Sequence, residues 1–351
     1  MQASEYTPVE LRAMFRAGHS EFLEVADKAG ILPRMGIKLT YLEGTDDPRE
    51  AEDALFTGKI DMICGNHITP YMWVARGKPI VCLASPSNAV QNRVVTKEPV
   101  ASLAEFKSKG LRIADTNLIG TSGIAGHDRL NHIIDIMRQG YAEGEAEWIE
   151  VGASGERGAA GELQAKLIDA VRSGKADAAF AGRIRDDALP SDLHVLDLPE
   201  LPMINGTTIT TSYEVLNQHE GLAERLVRAW VEVIHFARVN PEQTQRFLDT
   251  KDTRPYTQQG GRVPTITRSP IKPYPSPEGV MNAWELSRMR YEDAKAANPM
   301  ALWDMHYLRD LDLSGFIDEL LEEEPKSVQE KYAKPFTQIG GAHLFADHSS
   351  C

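Results

Sequence analysis

The sequence predicts an α/β protein of two doubly wound lobes, each a largely parallel sheet covered by helices, with one small molecule held in the cleft between them. Three observations carry that expectation. Strand and helix patterns alternate from residue 9 onward, a phrase around residue 54 returns around residue 170, and 351 residues exceed the usual size of one hydrophobic core.

Val9 to Phe15 alternates well enough for a strand, and Ser20 to Ala29 reads as a helix stopped by Gly30. Ile37 to Leu42 supplies a second strand, Pro48 to Phe56 a helix halted at Gly58, and Ile60 to Cys64 a third strand. The repeated phrase is Ala54-Leu-Phe-Thr-Gly-Lys-Ile-Asp-Met-Ile-Cys-Gly65 against Ala170-Val-Arg-Ser-Gly-Lys-Ala-Asp-Ala-Ala-Phe-Ala-Gly182. In both, an amphipathic helix ends at a glycine suited to a left-handed C-terminal turn, and a buried strand follows. Gly-Lys-x-Asp is also a common helix-stop and strand-start phrase, but here the apolar runs on both sides match as well.

A second lobe opens near Ser102, whose Ser-x-x-Glu spacing to Glu105 is a capping box, continues into a strand at Leu111 to Ala114 and closes near Leu201. Met203 to Thr211 reads as a strand carrying the chain back. Gly221 to Asn240 reads as a long helix with Leu226, Val227, Trp230, Val233 and Ile234 at helical spacing. The expected division is therefore 1–98 with 203–351 as a discontinuous first lobe, and 99–202 as the second. Residues 250–278, rich in Pro, Gly and Thr, form a long surface loop or a lid, and further helices are expected near 277–297 and 313–323. The run Pro270 to Pro277 has the look of a polyproline ligand and, in a compact protein, of a stiff connection.

A formal charge of -13 argues against a nucleic-acid partner, because phosphate binding needs a clustered excess of Lys and Arg. The three cysteines, Cys64, Cys82 and Cys351, imply no disulfide framework. No apolar run is long enough for a membrane span. The first residues, MQASEYTPVELRAMF, lack the basic and apolar regions of an export signal. The chain as written is accordingly expected in the cytoplasm, or outside it if such a signal has been removed.

Taken together, the opening strand and helix followed by Ala29-Gly30-Ile31, the Gly58-Lys-Ile-Asp-Met62 phrase, Ala75-Arg-Gly-Lys-Pro-Ile-Val81 and Gly174-Lys-Ala-Asp177 resemble the type II periplasmic-binding-protein fold. Within it, the resemblance is to the group of nitrate, sulfonate and taurine receptors and thiamine-pyrimidine synthases, over roughly residues 9–248. The synthases' lysine and histidine would fall at Gly65 and Thr69, and their cysteine cluster is missing. The catalytic cysteine of sulfinate desulfinases would fall in Arg16 to Ser20, where there is none. Likeness to dihydroxyphthalate decarboxylases extends to fold and cytoplasmic location only. This architecture serves both receptors and enzymes, so fold alone does not decide function.

Ligands of such sheets bind beyond the carboxyl ends of the strands. After the first strand, Arg16 and His19 stand beside Gly18, with Ser20 available to cap the next helix. After the third, Asn66 and His67 offer hydrogen bonds. Thr69 stands at the N-cap position with Pro70 at the first helical position, which leaves backbone N–H groups for an anion. His67 either donates a proton or satisfies a ligand or a carbonyl. Cys64 reads as a buried apolar residue rather than a nucleophile. In the second lobe, Thr121 and Ser122 lie in a Gly-rich turn that either holds an oxyanion or caps a helix. Arg183 is either a bidentate carboxylate clamp or the partner of Asp186 or Asp187. Asn205, just ahead of the return strand, completes the candidate ligand contacts. His19, Cys64, His67 and His127 lack metal-ligand spacing, so no metal and no cofactor are expected.

Two functions compete. One is a cytoplasmic decarboxylase or lyase acting on a small carboxylated, aromatic or heterocyclic compound, with an anion clamp at Arg183, Thr121 and Ser122 and a proton donor at His67 or His19. The other is the binding protein of an importer, whose further partner is a membrane permease. The missing export signal favours the enzyme, and the site requires His67 and Arg183 to reach the same guest.

Overall fold

A computed structural model describes residues 7–16, 19–45, 47–110, 112–115, 127–142, 144–151, 160–181, 190–249 and 265–322. The chain divides into two compact units, residues 1–88 with 203–351, and residues 89–202.

The first unit is built on β1 (Val9–Arg16), β2 (Ile37–Thr45), β3 (Met62–Cys64), β4 (Ile80–Ala84) and the return strand β12 (Ile209–Ser212), in the order β2-β1-β3-β12-β4. β1 runs parallel to β2 and β3, and β12 runs antiparallel to β3 and β4. Helices α1 (Glu21–Lys28), α2 (Ile31–Arg34), α3 (Pro48–Phe56) and α4 (Pro70–Ala75) connect the parallel strands. α3 shows how the local sequence sets an element. The Asp47 carboxylate accepts from the Arg49 backbone N–H at 2.9 Å, Pro48 occupies the first turn, and Gly58 at φ +69° ends the run.

The other unit contains β5 (Ala89–Val90), β6 (Arg93–Thr96), α5 (Leu103–Ser108), β7 (Ile113–Asp115), α6 (His127–Arg138), β8 (Trp148–Glu150), α7 (Ala160–Arg172), β9 (Ala178–Phe180), β10 (His194–Asp197) and β11 (Leu201–Pro202). Its main sheet has the order β10-β6-β9-β7-β8, and β5 pairs with β11. Adjacent residues feed opposite faces: Val95, Ala114 and Ala179 pack with Leu167 and Val171 of α7, while Val94, Ile113 and Phe180 pack with Phe106 and Ile136.

Both sheets have one design. Taking the strands of the second unit as β7 first, β8 second, β9 third and β10 fourth, each sheet runs second, first, third, a reversed strand, fourth. The repeated phrase occupies equivalent places and makes equivalent bonds. Gly58 and Gly174 are left-handed at +69° and +74°, and the Ile60 and Ala176 N–H groups return to Ala54 and Ala170 carbonyls at 3.3 and 3.1 Å. Asp61 accepts the Arg12 backbone N–H at 2.8 Å and its guanidinium at 2.7 and 3.1 Å. Asp177 does the same for Arg112 at 2.8, 3.0 and 3.3 Å. The aspartate of Gly-Lys-x-Asp thus ties the third strand of each sheet to the first.

The structure corrects several expectations. The division falls at 88/89 rather than 98/99, because β6 pairs with β9 and β10 inside the second unit. Met203 to Thr211 is not one strand: only Ile209–Ser212 joins the sheet, after a turn at Gly206 in which the Thr208 N–H bonds the Gly206 carbonyl at 2.9 Å.

The C-terminal part carries α8 (Tyr213–Gln218), α9 (Leu222–Val239), α10 (Pro241–Leu248), α11 (Pro277–Arg290), α12 (His306–Leu313) and α13 (Phe316–Leu320). α11 stops at Tyr291 instead of continuing to 297, and in place of one helix over 313–323 the chain ends α12 at Leu313, turns at Gly315, φ +88°, and forms the short α13. Of the segment 250–278, residues 265–278 are described. Within it, Pro270 to Pro277 is a stiff connection: the Pro273 carbonyl accepts from the Ser85 N–H at 2.8 Å, and Asn88 bonds the Tyr274 carbonyl at 2.7 Å and the Ser276 N–H at 2.8 Å.

α9 is the main packing element of the first unit. Its Leu226, Val227, Trp230, Val233 and Ile234 are fully buried, each stabilising by about 1.5–3 kcal/mol as a transfer estimate. The Trp230 ring stacks on Phe22 of α1 at 5.6 Å.

Candidate functional site

The carboxyl ends of β1 and β3 and the start of the reversed β12 lie at one edge of the first unit's sheet, so three loops meet there. From the first comes His19, whose backbone N–H bonds the Arg16 carbonyl at 2.9 Å and whose Nδ1 lies 3.2 Å from the Thr207 hydroxyl. From the second comes Gly65, at φ +83°. A Cβ built there would lie 2.5–2.9 Å from three atoms of His19, so glycine is what allows the ring to sit against the β3 loop. From the third comes Thr207, whose carbonyl accepts the Trp230 indole N–H at 3.2 Å. The packing of α9 is thereby transmitted to the imidazole through one threonine.

The β3 loop is pinned from both sides. Its Asn66 carbonyl accepts the hydroxyls of Thr210 at 2.7 Å and Thr208 at 3.5 Å, and the Gly65 N–H bonds the Thr208 carbonyl at 3.3 Å. The Asn66 side-chain amide and the Thr69 hydroxyl do not point away from the protein. Both bond Glu52 of α3, Asn66 at 2.8 Å, and Trp73 of α4 donates to the other oxygen of that carboxyl at 2.6 Å. Thr69 holds the N-cap position and Pro70 the first turn, but its hydroxyl is spent on Glu52 and Asn66. Glu52 is fully buried, and that desolvation raises its pKa above the ordinary carboxylate range, opposed by these bonds and by the positive charge of Arg16.

His67 is buried in the same loop, and Arg16 donates to the Thr45 carbonyl at 3.2 Å. Asn205 is half-buried and its backbone N–H bonds the Ser87 carbonyl at 3.2 Å, beside Gly206, where a Cβ would meet Ser87 at 2.8 Å. Of the expected contacts, Arg16, His19, Asn66, His67, Thr69 and Asn205 thus belong to the described residues. Thr121, Ser122 and Arg183 lie outside them, so the pairing of His67 with Arg183 does too. Cys64 and Cys82 are fully buried thiols. Burial raises both pKa values, that of Cys82 to about 12, which removes them as nucleophiles at neutral pH.

Sequence reasoning missed Thr207 and Glu52. Thr207 sits in what reads as a strand, and Glu52 in what reads as the solvated stripe of an amphipathic helix. Among the described residues no group of His, Cys, Asp and Glu has the geometry of a metal site. No described helix is long and apolar enough to cross a membrane. A depression of about 810 Å³ lined by Met14, Tyr41, Asp47, Arg49 and Asp53 lies along β2 and α3. It is wide, carries both signs of charge and includes none of the three loops, so the candidate site is assigned to the loops.

No protein-family model matches the sequence, and no curated protein matches it. Solved structures do. A periplasmic sulfonate-binding protein from Methylobacillus flagellatus KT superposes with a TM-score of 0.59 at 14% identity, over 91% of this chain and 98% of that one. The periplasmic aliphatic sulphonate binding protein of Escherichia coli gives 0.52 at 16% identity, over 83% and 92%. The periplasmic nitrate-binding protein of Synechocystis PCC 6803 gives 0.50 at 13% identity, over 90% of each chain. The fold is thus the type II binding-protein fold that the sequence resembles. The decarboxylase or lyase expectation is overturned, because these structures are named as binding proteins for sulfonate and nitrate. They also give no support to a cytoplasmic location, since each is described as periplasmic.

Proposed function

We propose that this chain is the ligand-binding component of an importer for a small oxyanion of the sulfonate, nitrate or carboxylate kind, and that binding without turnover is its whole chemistry. The observation that carries this is the meeting of His19, Gly65 and Thr207 at the carboxyl edge of a binding-protein sheet. There an imidazole and a hydroxyl are held by packing rather than by a mobile loop, which suits recognition by a preorganised site. In this reading Arg16, His19, His67 and Asn205 contribute from the first unit, with Asn66 and Thr69 shaping the β3 loop. A permease is the further partner, and the protein works on the outer side of the membrane that holds it.

The test is native mass spectrometry of protein purified without dialysis, followed by thermal unfolding with ethanesulfonate, taurine, nitrate and benzoate. One anion raises the melting temperature and is recovered unchanged, and His19→Ala weakens it by about tenfold, the loss of one charge-assisted hydrogen bond. Conversion of the bound compound, or no response to any of these anions and no co-purified ligand, refutes the assignment.

A further inference from the structure

The bonding around Glu52 does not balance unless the carboxyl carries a proton. Four close contacts join Glu52, Asn66, Thr69 and Trp73: Asn66 amide to Glu52, Thr69 hydroxyl to Glu52, Thr69 hydroxyl to the Asn66 side-chain oxygen at 2.9 Å, and Trp73 indole to Glu52. Amide, hydroxyl and indole supply one hydrogen each to them. Two of the contacts are oxygen against oxygen around a single threonine hydroxyl, so one hydrogen is missing. Exchanging the amide's nitrogen and oxygen does not help, because Asn66 oxygen would then face Glu52 oxygen and the deficit moves there. In either orientation the one member able to carry the extra hydrogen is Glu52.

We propose that Glu52 is the positioning residue of the Gly65–Thr69 loop, and that it holds the loop as a neutral carboxylic acid donating its own proton within this cluster. The inference rests on the proposed function only for its effect on ligand affinity. The surroundings agree with a neutral group. Glu52 is fully buried and burial favours its protonated form. Arg16, at the end of β1, is the cation that opposes this. On α4 the guanidinium of Arg76 lies over the Trp73 ring at 5.0 Å. β3 and β12 bring no charged side chain, the β3 loop itself carries His67, and on α3 the neighbouring Glu50 is taken by the Thr45 hydroxyl from β2. Loss of the proton leaves two oxygens of the cluster facing each other without a hydrogen, and Thr69 must abandon either Asn66 or Glu52.

Because the folded-state pKa is raised, the contribution to stability is fully present below the ordinary carboxylate range and fades as pH rises through the folded value. The experiment compares wild type, Glu52→Gln and Glu52→Ala by thermal unfolding between roughly pH 5 and pH 8, with infrared spectra of wild type carrying ¹³C-labelled glutamate. A protonated-carboxyl band that Glu52→Gln removes is expected, together with a glutamine variant that gains on wild type as pH rises. Glu52→Ala lowers the melting temperature at every pH. If Glu52→Ala does not fold, the infrared band and the glutamine comparison decide alone. Absence of the band, or a difference between wild type and Glu52→Gln that is flat or opposite in sign, overturns the proposal. For whichever of ethanesulfonate and nitrate binds wild type, affinity falls with rising pH in wild type and not in Glu52→Gln; an identical pH profile in both overturns the positioning role. If neither binds, taurine or benzoate serves as the probe; if none of the four binds and no ligand co-purifies, the oxyanion-receptor reading fails while the infrared and unfolding results still decide the protonation of Glu52.

Discussion

Replacing Gly65 by alanine puts the geometry of the candidate site to a quantitative test. Gly65 and Gly58 are both left-handed, at φ +83° and +69°, so an alanine at either position meets a comparable backbone penalty of about 1–2 kcal/mol. That penalty is partly offset by the roughly 0.4–1 kcal/mol that a less flexible unfolded chain contributes. They differ in what the new methyl meets. At Gly58 nothing lies within 4 Å, whereas at Gly65 the His19 ring is 2.5 Å away. Overpacking of that kind costs about 1–3 kcal/mol, so Gly65→Ala should exceed Gly58→Ala by this amount. For a unit of this size that is a difference of roughly 2–12 °C in melting temperature. Calorimetry of the two variants beside wild type measures it, and an anion titration of each asks whether displacing His19 from Thr207 also removes binding. Equal melting temperatures, or a Gly65→Ala protein that binds as wild type does, would refute the contact on which the site is built.

Other consequences follow from the same structure. Asp61 is buried and holds Arg12 through three bonds, so Asp61→Ala should destabilise the first unit by about 3 kcal/mol, whereas Asp177→Ala, which removes a carboxylate that is itself partly exposed, should cost the second about 1 kcal/mol. Urea unfolding of each variant distinguishes this ranking from equal or inverted effects. The Arg112 bonds lower the Asp177 pKa, so its contribution is present above the ordinary carboxylate range and is lost as pH falls through the folded value. Asp177→Asn should flatten the acid limb of the second unit's unfolding profile. Trp230→Phe keeps most of the apolar contact but removes the donor to Thr207. It should cost about 1–2 kcal/mol and weaken anion binding in parallel, and a loss of stability with unchanged affinity would separate α9 from the site. Native alkylation with iodoacetamide should leave Cys64 and Cys82 unmodified, read by peptide mass spectrometry.

The parts of the fold legible in the sequence are those specified by neighbours along the chain. Pro48, Asp47 and Gly58 bound α3 because caps and left-handed turns need particular residues at fixed offsets. The repeat at 58–61 and 174–177 was visible for the same reason. What the repeat's aspartate does was not visible, because its partner stands 49 residues earlier in one unit and 65 in the other. No local rule pairs Arg12 with Asp61. Met203 to Thr208 reads as part of the return strand because apolar and β-branched residues satisfy a strand pattern whether or not a ladder partner exists. Here the chain is occupied instead with Asn88, Ser87 and a turn at Gly206.

The candidate site shows the same division more sharply. His19, Asn66, His67 and Thr69 were found because topology places loops after strands, and polar residues in those loops are few. Position alone could not tell which of them face a guest and which are spent internally. Asn66 and Thr69 have the side chains of ligand contacts and the hydrogen bonds of a buried frame, and the residue that claims them, Glu52, lies on the helix before β3. A glutamate between Ala51 and Leu55 in an otherwise charged helix reads as solvated, because isolated burial of a carboxylate is expensive. It is affordable here only where Asn66, Thr69 and Trp73 already converge, which is a property of the assembled unit and of no segment of it. The residues that look most like binding chemistry in this loop are therefore the ones that give it shape, and under the proposed function recognition falls to the imidazole and hydroxyl that this shape, together with Gly65 and Trp230, holds in place.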